Sequence, residues 1–297
     1  MRVSAIDIGS NSVRLLTVDA HGIEIRREAE VTALARGVDT TGVLSEASVL
    51  STEAVLTRFA ALIAADRSER VGVVATSASR DATNGADAMA RFEHIIGVAP
   101  EVIGGGREAA LAFAGATAHL PSATHVIVDI GGGSTEIIEG RDVIRWAHSY
   151  DIGSVRLTDR CLLRHPVSKE GVGAASDAAA VALSSPEPLV DATRIIGVAG
   201  TFTSIAAIVL GLGEYDRTQV HHTELSIGDI EATVDRLARM KPAEVAAIPS
   251  LDPRRAPVIL GGAIVATAAM RALSATTVSV SEHDLLDGLA AELSSRG

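Results

Sequence analysis

The chain has 297 residues, of which 47% are hydrophobic and only 2% aromatic. This composition supports a sizeable core in one large or two ordinary domains, and it excludes a disordered chain. The net charge of −11 and the scarcity of aromatic rings argue against nonspecific binding of nucleic acid. Cys161 is the only cysteine, so an internal disulfide is excluded and a cytoplasmic location is expected.

The first predicted elements are strands on either side of a turn of small residues. An apolar strand leads into the turn that contains Asp7 and Gly9, and a second strand is predicted over residues 13–18. Another turn and a strand over residues 23–26 follow. Residues 45–67 carry apolar side chains on one helical face and predict a helix. A buried-type strand is predicted at residues 70–77, and a helix-like stretch follows it.

The same order of elements recurs from residue 125. Residues 125–138 repeat the strand, turn and strand of residues 3–18, with Asp129 at the place of Asp7. Residues 194–201 repeat, more weakly, the strand at 70–77. Two matching pairs in the same order predict an internal duplication.

The later elements are mostly helical. Ser226 and Asp229 predict a capping box, and Pro242 predicts the first residue of a short helix. Residues 258–270 form the longest apolar stretch; it is shorter than the roughly 20 residues of a membrane span. It therefore predicts a buried helix, and we expect no membrane association. The last helix is expected over residues 282–294.

Strands that alternate with helices predict an α/β fold. The pattern breaks at residues 119–124, so the predicted domains are residues 1–122 and 123–297. The last helix of the second is a candidate to pack back on the first.

The two small-residue turns predict a phosphate clamp. Glycines allow close approach of the backbone, and their N–H groups can point at oxyanions. The candidate phosphate-binding residues of the two turns are Ser10, Asn11, Ser12, Gly131, Gly132, Gly133 and Ser134.

Acidic residues near the turns indicate a metal site. Asp129 and Glu136 lie on the two strands of the second hairpin, and hard carboxylate oxygens suit Mg²⁺ or another divalent cation. Asp7 is a third candidate ligand. A turn-capping role for Asp129 and a solvent-facing position for Glu136 would explain these two residues equally well.

Three further motifs carry candidate site residues. Arg14 and Arg80 have guanidinium groups that match phosphate oxygens, although a lone Arg is more often a surface group. Glu108 follows a glycine-rich turn, where helix capping or a general base would explain it. Gly200 and Thr201 begin another turn into a helix, where either phosphate binding or capping is possible.

Together these motifs resemble the exopolyphosphatase/guanosine pentaphosphate phosphohydrolase family. The motifs that carry the resemblance lie in order along nearly the whole chain, at residues 7–12, 75–80, 103–109, 129–136, 153–158, 197–201 and 281–288.

The resemblance implies a duplicated actin-like (ribonuclease H-like) fold of two domains with an active site in the interdomain cleft. It implies that Glu108 activates water, that Asp129 and Glu136 help to hold Mg²⁺, and that Arg14, Arg80 and the turns bind phosphate. Arg255 is a less direct candidate for contact with the polyanion. A homodimer is also implied.

The expected function is therefore an exopolyphosphatase that releases orthophosphate from the ends of inorganic polyphosphate. Hydrolysis of guanosine pentaphosphate, phosphate transfer by a sugar or acetate kinase, and a sensor without enzyme activity remain alternatives. Two departures from the family pattern keep the sensor open: Arg107 stands where an acidic residue is usual, and Leu286 where an Arg is usual.

Overall fold

The computed structural model describes residues 1–184 and 194–295. The chain forms two compact units. Met1–Ala118 and Asp284–Gly297 make the first unit, and His119–His283 makes the second. The C-terminal segment thus belongs to the same unit as the N-terminal half.

Each unit is built on one β-sheet. The strands of the first unit are β1 (Val3–Ile8), β2 (Ser12–Val18), β3 (Glu24–Val31), β4 (Arg70–Ala75) and β5 (Glu101–Val102). The described strands of the second unit are β6 (His125–Ile130), β7 (Thr135–Gly140), β8 (Ile144–Tyr150), β9 (Arg194–Val198), β10 (Glu224–Ser226) and β11 (Thr277–Val280). The sheet orders are β3-β2-β1-β4-β5 and β10-β11-β9-β6-β7-β8.

The helices, numbered along the chain, cover these sheets. They are α1 (Val38–Thr41), α2 (Glu46–Asp66), α3 (Ser77–Asp81), α4 (Gly85–Ile96), α5 (Gly105–Thr117), α6 (Ser154–Cys161), α7 (Lys169–Ala182), α8 (Ala199–Val209), α9 (Arg217–Val220), α10 (Ile227–Arg239), α11 (Pro242–Ala246), α12 (Ile259–Ala272) and α13 (Leu285–Ser295). The predicted α/β class is therefore confirmed.

The predicted duplication is confirmed by strand pairing. Strand β1 pairs antiparallel with β2 and parallel with β4, while β3 continues the antiparallel meander. Strand β6 pairs antiparallel with β7 and parallel with β9, and β8 takes the place of β3. Each Asp-Ile-Gly motif therefore ends a central strand whose neighbours have the same directions.

Local signals account for several helix ends. The Ser226 side chain accepts the N–H of Asp229, and the Asp229 carboxylate accepts the N–H of Ser226, which confirms the predicted capping box. Pro242 begins α11 as predicted. The prediction that the last helix begins at residue 282 is wrong, because the Asp284 carboxylate accepts the N–H of Leu286 and so caps a helix that begins later.

Strand β3 extends beyond its predicted end at residue 26 and reaches Val31. Its mostly polar composition hid this extension, because an edge strand of an antiparallel sheet keeps exposed polar residues. Residues 185–193 lie outside the described part of the chain.

Two helices are notable for their apolar composition. In the described part of the chain, α2 alone is long and apolar enough to span a membrane, but core helices meet the same criteria. Its Val49, Leu56 and Phe59 side chains are buried in the fold. Helix α12 is buried from Ile259 to Met270, as predicted.

Helices α5 and α13 pack at backbone contact distance inside the first unit. A Cβ atom on Gly115 would lie 1.9 Å from the carbonyl oxygen of Asp284, and one on Gly288 would lie 2.1 Å from that of Leu111. No side chain fits at either position unless the helices separate. Two glycines therefore set the spacing between these helices.

We predict that Gly115→Ala lowers the free energy of unfolding by about 1–3 kcal/mol, because the added methyl overpacks the α5–α13 contact. Gly106→Ala in the same helix is the control, since no atom lies within 4 Å of its added Cβ. That variant should be neutral or slightly more stable. Urea denaturation measures both, and equal stability of the two variants would contradict the packing argument.

Candidate active site

The β1–β2 turn of the first unit is closed by backbone hydrogen bonds. The Gly9 N–H donates to the Ser12 carbonyl at 3.0 Å, and a Cβ on Gly9 would lie 2.9 Å from that oxygen. The carbonyl of Ser10 accepts the N–H of Ala35, and the carbonyl of Asn11 accepts two N–H groups, from residues 32 and 33. The carbonyl side of this turn is thus held by the segment after β3.

The Ser10 side chain connects the turn to α3. Its hydroxyl lies 2.8 Å from that of Ser77 and accepts the N–H of Ala78 at 3.2 Å. A serine predicted to bind phosphate is therefore already hydrogen-bonded at the start of a helix. Its contribution to an anion site would come mainly from its backbone.

The β6–β7 turn of the second unit has the same construction. The Gly131 N–H donates to the Ser134 carbonyl at 3.0 Å, the counterpart of the bond across the first turn. The carbonyls of the three glycines accept N–H groups from the start of α6. The bonds are Ser154 N to Gly131 O at 3.0 Å, Val155 N to Gly132 O at 2.9 Å, and Arg156 Nε to Gly133 O at 2.8 Å.

The amide side of each turn differs from its carbonyl side. The N–H groups of Ser10, Asn11, Gly132 and Gly133 have no acceptor among residues 1–184 and 194–295. Successive backbone N–H groups in a tight turn form a concave site that favours anions. Each unit therefore presents one amide-lined turn at the end of its central strand.

The residue opposite the aspartate distinguishes the two hairpins. In the first, Asp7 is the register partner of Arg14; in the second, Asp129 is the partner of Glu136. The first hairpin therefore carries a salt bridge where the second carries two acids. This single exchange gives the duplicated turns different chemistry.

Arg14 is engaged by two carboxylates. Its Nε and Nη2 donate to Asp7 Oδ2 at 3.0 and 2.8 Å, and its Nη1 donates to Asp284. Burial lowers the pKa of Arg14, but the charges of Asp284 and Asp7 outweigh it and raise that pKa well above its usual value. Burial raises the pKa of Asp7, and the adjacent Arg14 opposes that shift.

Asp129 and Glu136 come together as predicted. They are opposite one another on antiparallel strands, and both are buried. Ser149 donates to Glu136 Oε1 at 2.6 Å. Like charges directly opposite are destabilising, so this pair suits a bound cation.

The donor set is compatible with Mg²⁺. Asp7 Oδ1 is a buried carboxylate oxygen without a hydrogen-bond partner in the described chain. Among the residues described, no group of three or more His, Cys, Asp or Glu side chains is arranged to hold a metal. Mg²⁺ commonly takes one or two protein carboxylates and completes its shell with water and substrate phosphates, so a sparse oxygen set fits.

Glu108 lies in the first turn of α5, beside Arg80. Its Oε2 is 4.0 Å from Arg80 Nη1, and its side chain is 9% exposed. Arg80 Nη1 also donates to the Ile103 carbonyl at 2.9 Å. The structure therefore brings together two residues that the sequence placed in separate motifs.

Gly200, Thr201 and Arg255 also come together. A Cβ on Gly200 would lie 1.7 Å from Arg255 Nη1, so the guanidinium lies against the glycine backbone. Thr201 Oγ1 donates to the Ile130 carbonyl at 3.0 Å and so connects this turn to strand β6. Ala199 has φ 65°, a left-handed conformation that costs a non-glycine residue roughly 1–3 kcal/mol and recurs at functional sites.

Asp284 is the site residue that sequence reasoning missed. It belongs to the motif at residues 281–288, but its contact with Arg14 joins segments far apart in the chain. Asp284 falls inside the helix predicted over residues 282–294, and no local signal points to a partner 270 positions away in the chain.

The two departures from the family pattern have structural roles. Arg107 donates to both carboxylate oxygens of Glu292, at 2.6 and 2.7 Å, and so joins α5 to α13. Leu286 is 1% exposed and lies in the core.

The strand pairing and the two turns define a protein of the duplicated actin-like α/β class. Residues 16–296 match the Ppx/GppA phosphatase family. An exopolyphosphatase 2 of Mycobacterium tuberculosis is 38% identical to this chain, and the match covers 98% of each. The chain therefore belongs to the Ppx/GppA phosphatase family.

Solved structures agree over the whole chain. A crystal structure of an exopolyphosphatase-like protein is 34% identical, with a TM-score of 0.94 and coverage of 100% of this chain and 99% of that one. An exopolyphosphatase of Cytophaga hutchinsonii is 25% identical, with a TM-score of 0.90 and coverage of 100% and 98%.

We predict that Gly200→Ala displaces Arg255, because the added methyl would occupy the position of its guanidinium. Loss of one charged hydrogen bond to phosphate costs about 1.5–3 kcal/mol, so affinity for tripolyphosphate should fall about tenfold or more.

Arg255→Ala should weaken binding to a similar extent, and the double variant should bind no more weakly than either single variant. Isothermal titration calorimetry with tripolyphosphate measures the affinity of the wild type and of the three variants, and urea denaturation confirms that each is folded. Additive losses would contradict the displacement mechanism.

Proposed function

We propose that this protein is an exopolyphosphatase, which hydrolyses the terminal phosphoanhydride bond of inorganic polyphosphate and releases orthophosphate. The observation that carries the proposal is the pair of amide-lined turns, each at the end of a central strand. Relatives named exopolyphosphatase that match nearly the whole chain support the same substrate class.

In the first unit, Glu108 is the proposed general base. It accepts a proton from water as the water oxygen attacks the terminal phosphorus and the bridging P–O bond breaks. Arg80 lies close enough to hold a phosphoryl oxygen beside this carboxylate. The amides of Ser10 and Asn11 donate to non-bridging oxygens, and Ser12 and Arg14 remain candidates for secondary contacts.

In the second unit, the amides of the glycine turn and Ser134 bind a phosphate group. Gly200, Thr201 and Arg255 bind another part of the polyanion, through backbone amides and a guanidinium. Asp129 and Glu136 of the second unit are the proposed ligands of a divalent cation, and Asp7 is a candidate ligand in the first unit. When bound, that cation neutralises charge that develops on the transferred phosphoryl group.

The contacts of Arg107 and Leu286 remove the main reason for a non-enzymatic sensor. Arg107 is bound to Glu292 and Leu286 is buried, so each substitution has a packing explanation. Neither needs a loss of catalysis to explain it.

We further propose a cytoplasmic homodimer. A single, partly buried Cys161 suits a reducing compartment. The dimer is an expectation from the family resemblance, and analytical ultracentrifugation would test it.

Phosphate release from long polyphosphate, tripolyphosphate and guanosine pentaphosphate tests the function. We expect fastest turnover of polyphosphate, and we expect Glu108→Gln to lower kcat about 10²–10⁴-fold, because it removes the general base and keeps the shape. Substrate binding should persist. Faster turnover of the nucleotide would favour the pentaphosphate alternative, and transfer to an acceptor with ATP as donor would favour a kinase.

Thermal unfolding tests the assignment of Asp129 and Glu136 as cation ligands. With a chelator present, Glu136→Gln should stabilise the protein by roughly 0.2–1 kcal/mol, because it removes repulsion from Asp129. The same variant should lose the stabilisation by Mg²⁺ that we expect in the wild type.

Glu139→Gln, on the same strand, is the matched control. Glu139 is a buried acid bound by Arg145 at 2.8 and 2.6 Å, so its loss should destabilise the protein and leave the response to Mg²⁺ intact. A Glu136→Gln variant that is destabilised in chelator would contradict the cation assignment.

A further inference from the structure

Asp284 uses its two carboxylate oxygens for different purposes. Oδ1 accepts the N–H of Leu286 at 2.9 Å, which caps α13. Oδ2 accepts from Arg14 Nη1, and the side chain is 5% exposed. Helix capping explains the first contact and leaves the second unexplained.

Arg14 extends this contact to Asp7. Two of its nitrogens donate to Asp7 Oδ2 while a third donates to Asp284. A guanidinium is planar and rigid, so bonds on both sides fix its plane. Asp7 Oδ2 is thereby held in one direction, and Oδ1 is the buried oxygen without a hydrogen-bond partner in the described chain.

We propose that Asp284 is a positioning residue that, through Arg14, orients Asp7 Oδ1 toward a divalent cation. The inference rests on the proposed function, in which Asp7 is a metal ligand. Carboxylate ligands are oriented by the groups that bind their other oxygen, and loss of such a group typically costs 10–100-fold in metal affinity. All three residues belong to the first unit.

A substitution at Asp284 can separate its helix-capping role from its contact with Arg14. Serine is a good N-cap, but its side chain is too short to reach Arg14 as well. Asp284→Ser should therefore keep α13 capped and lose the contact with Arg14. Asp287→Asn is the matched control. Asp287 lies at the same helix end and is bound by Arg27, at 3.2 Å from Nη1. It also accepts the N–H of Asp284 at 3.0 Å, and the side-chain oxygen of Asn can keep that contact.

The experiment is a Mn²⁺ titration of the full chain without substrate, followed by electron paramagnetic resonance of the unbound ion. We expect Asp284→Ser to weaken Mn²⁺ binding about tenfold or more. Its melting temperature in chelator should stay close to that of the wild type. The Asp287→Asn variant should bind Mn²⁺ like the wild type.

Steady-state kinetics gives a second readout. For Asp284→Ser, kcat at limiting metal should fall and recover at high metal, while KM for tripolyphosphate stays unchanged. A uniform loss at every metal concentration would indicate a structural effect and overturn the proposal. Unchanged Mn²⁺ binding by this variant, or an equal loss in Asp287→Asn, would also overturn it.

Phosphate release and Mn²⁺ binding by the wild type distinguish a failure of this inference from a failure of the proposed function. If it releases phosphate but binds no Mn²⁺, the metal role of Asp7 and this inference are wrong, and the hydrolase proposal stands. If it binds Mn²⁺ in a manner that depends on Asp284 but releases no phosphate, the inference stands and the proposed function is wrong.

Discussion

Hydrogen bonds to the carbonyl oxygens of the two β-turns govern the geometry of the candidate site. In the first turn the donors come from the segment after β3, and in the second they come from the start of α6. A peptide plane held by its carbonyl has its N–H fixed in the opposite direction. The turns are therefore organised before any anion binds. Gly153 shows how close this contact is, since a Cβ there would lie 2.6 Å from the Gly132 carbonyl.

The exchange of Arg14 for Glu136 at equivalent positions separates the roles of the two copies. A base opposite Asp7 makes a buried salt bridge, whereas an acid opposite Asp129 leaves two buried carboxylates facing each other. The first arrangement pairs opposite charges, and the second places two acids at one register position. A duplicated backbone thus supports different chemistry in its two units through one residue.

The C-terminal helix α13 packs against α5 of the first unit. Gly115 and Gly288 allow close backbone contact between α5 and α13, and the bidentate pair of Arg107 and Glu292 fixes the contact at its other end. Asp284, immediately before this helix, accepts a hydrogen bond from Arg14. Residues at the two ends of the sequence therefore contribute to one site, and Glu108 lies on the helix that supports them.

The sequence by itself determined the α/β class, the duplication, the capped helices and the two glycine turns, because strand periodicity, glycine spacing and capping are local properties. It also identified Asp129 and Glu136 as a pair, because a hairpin with six residues between them places them opposite each other. Only the tertiary structure decided that Arg14 is bound by Asp284, that Arg255 lies on Gly200 and that Arg80 is beside Glu108. These partners are distant in the chain, and packing between separate elements decides which side chains meet.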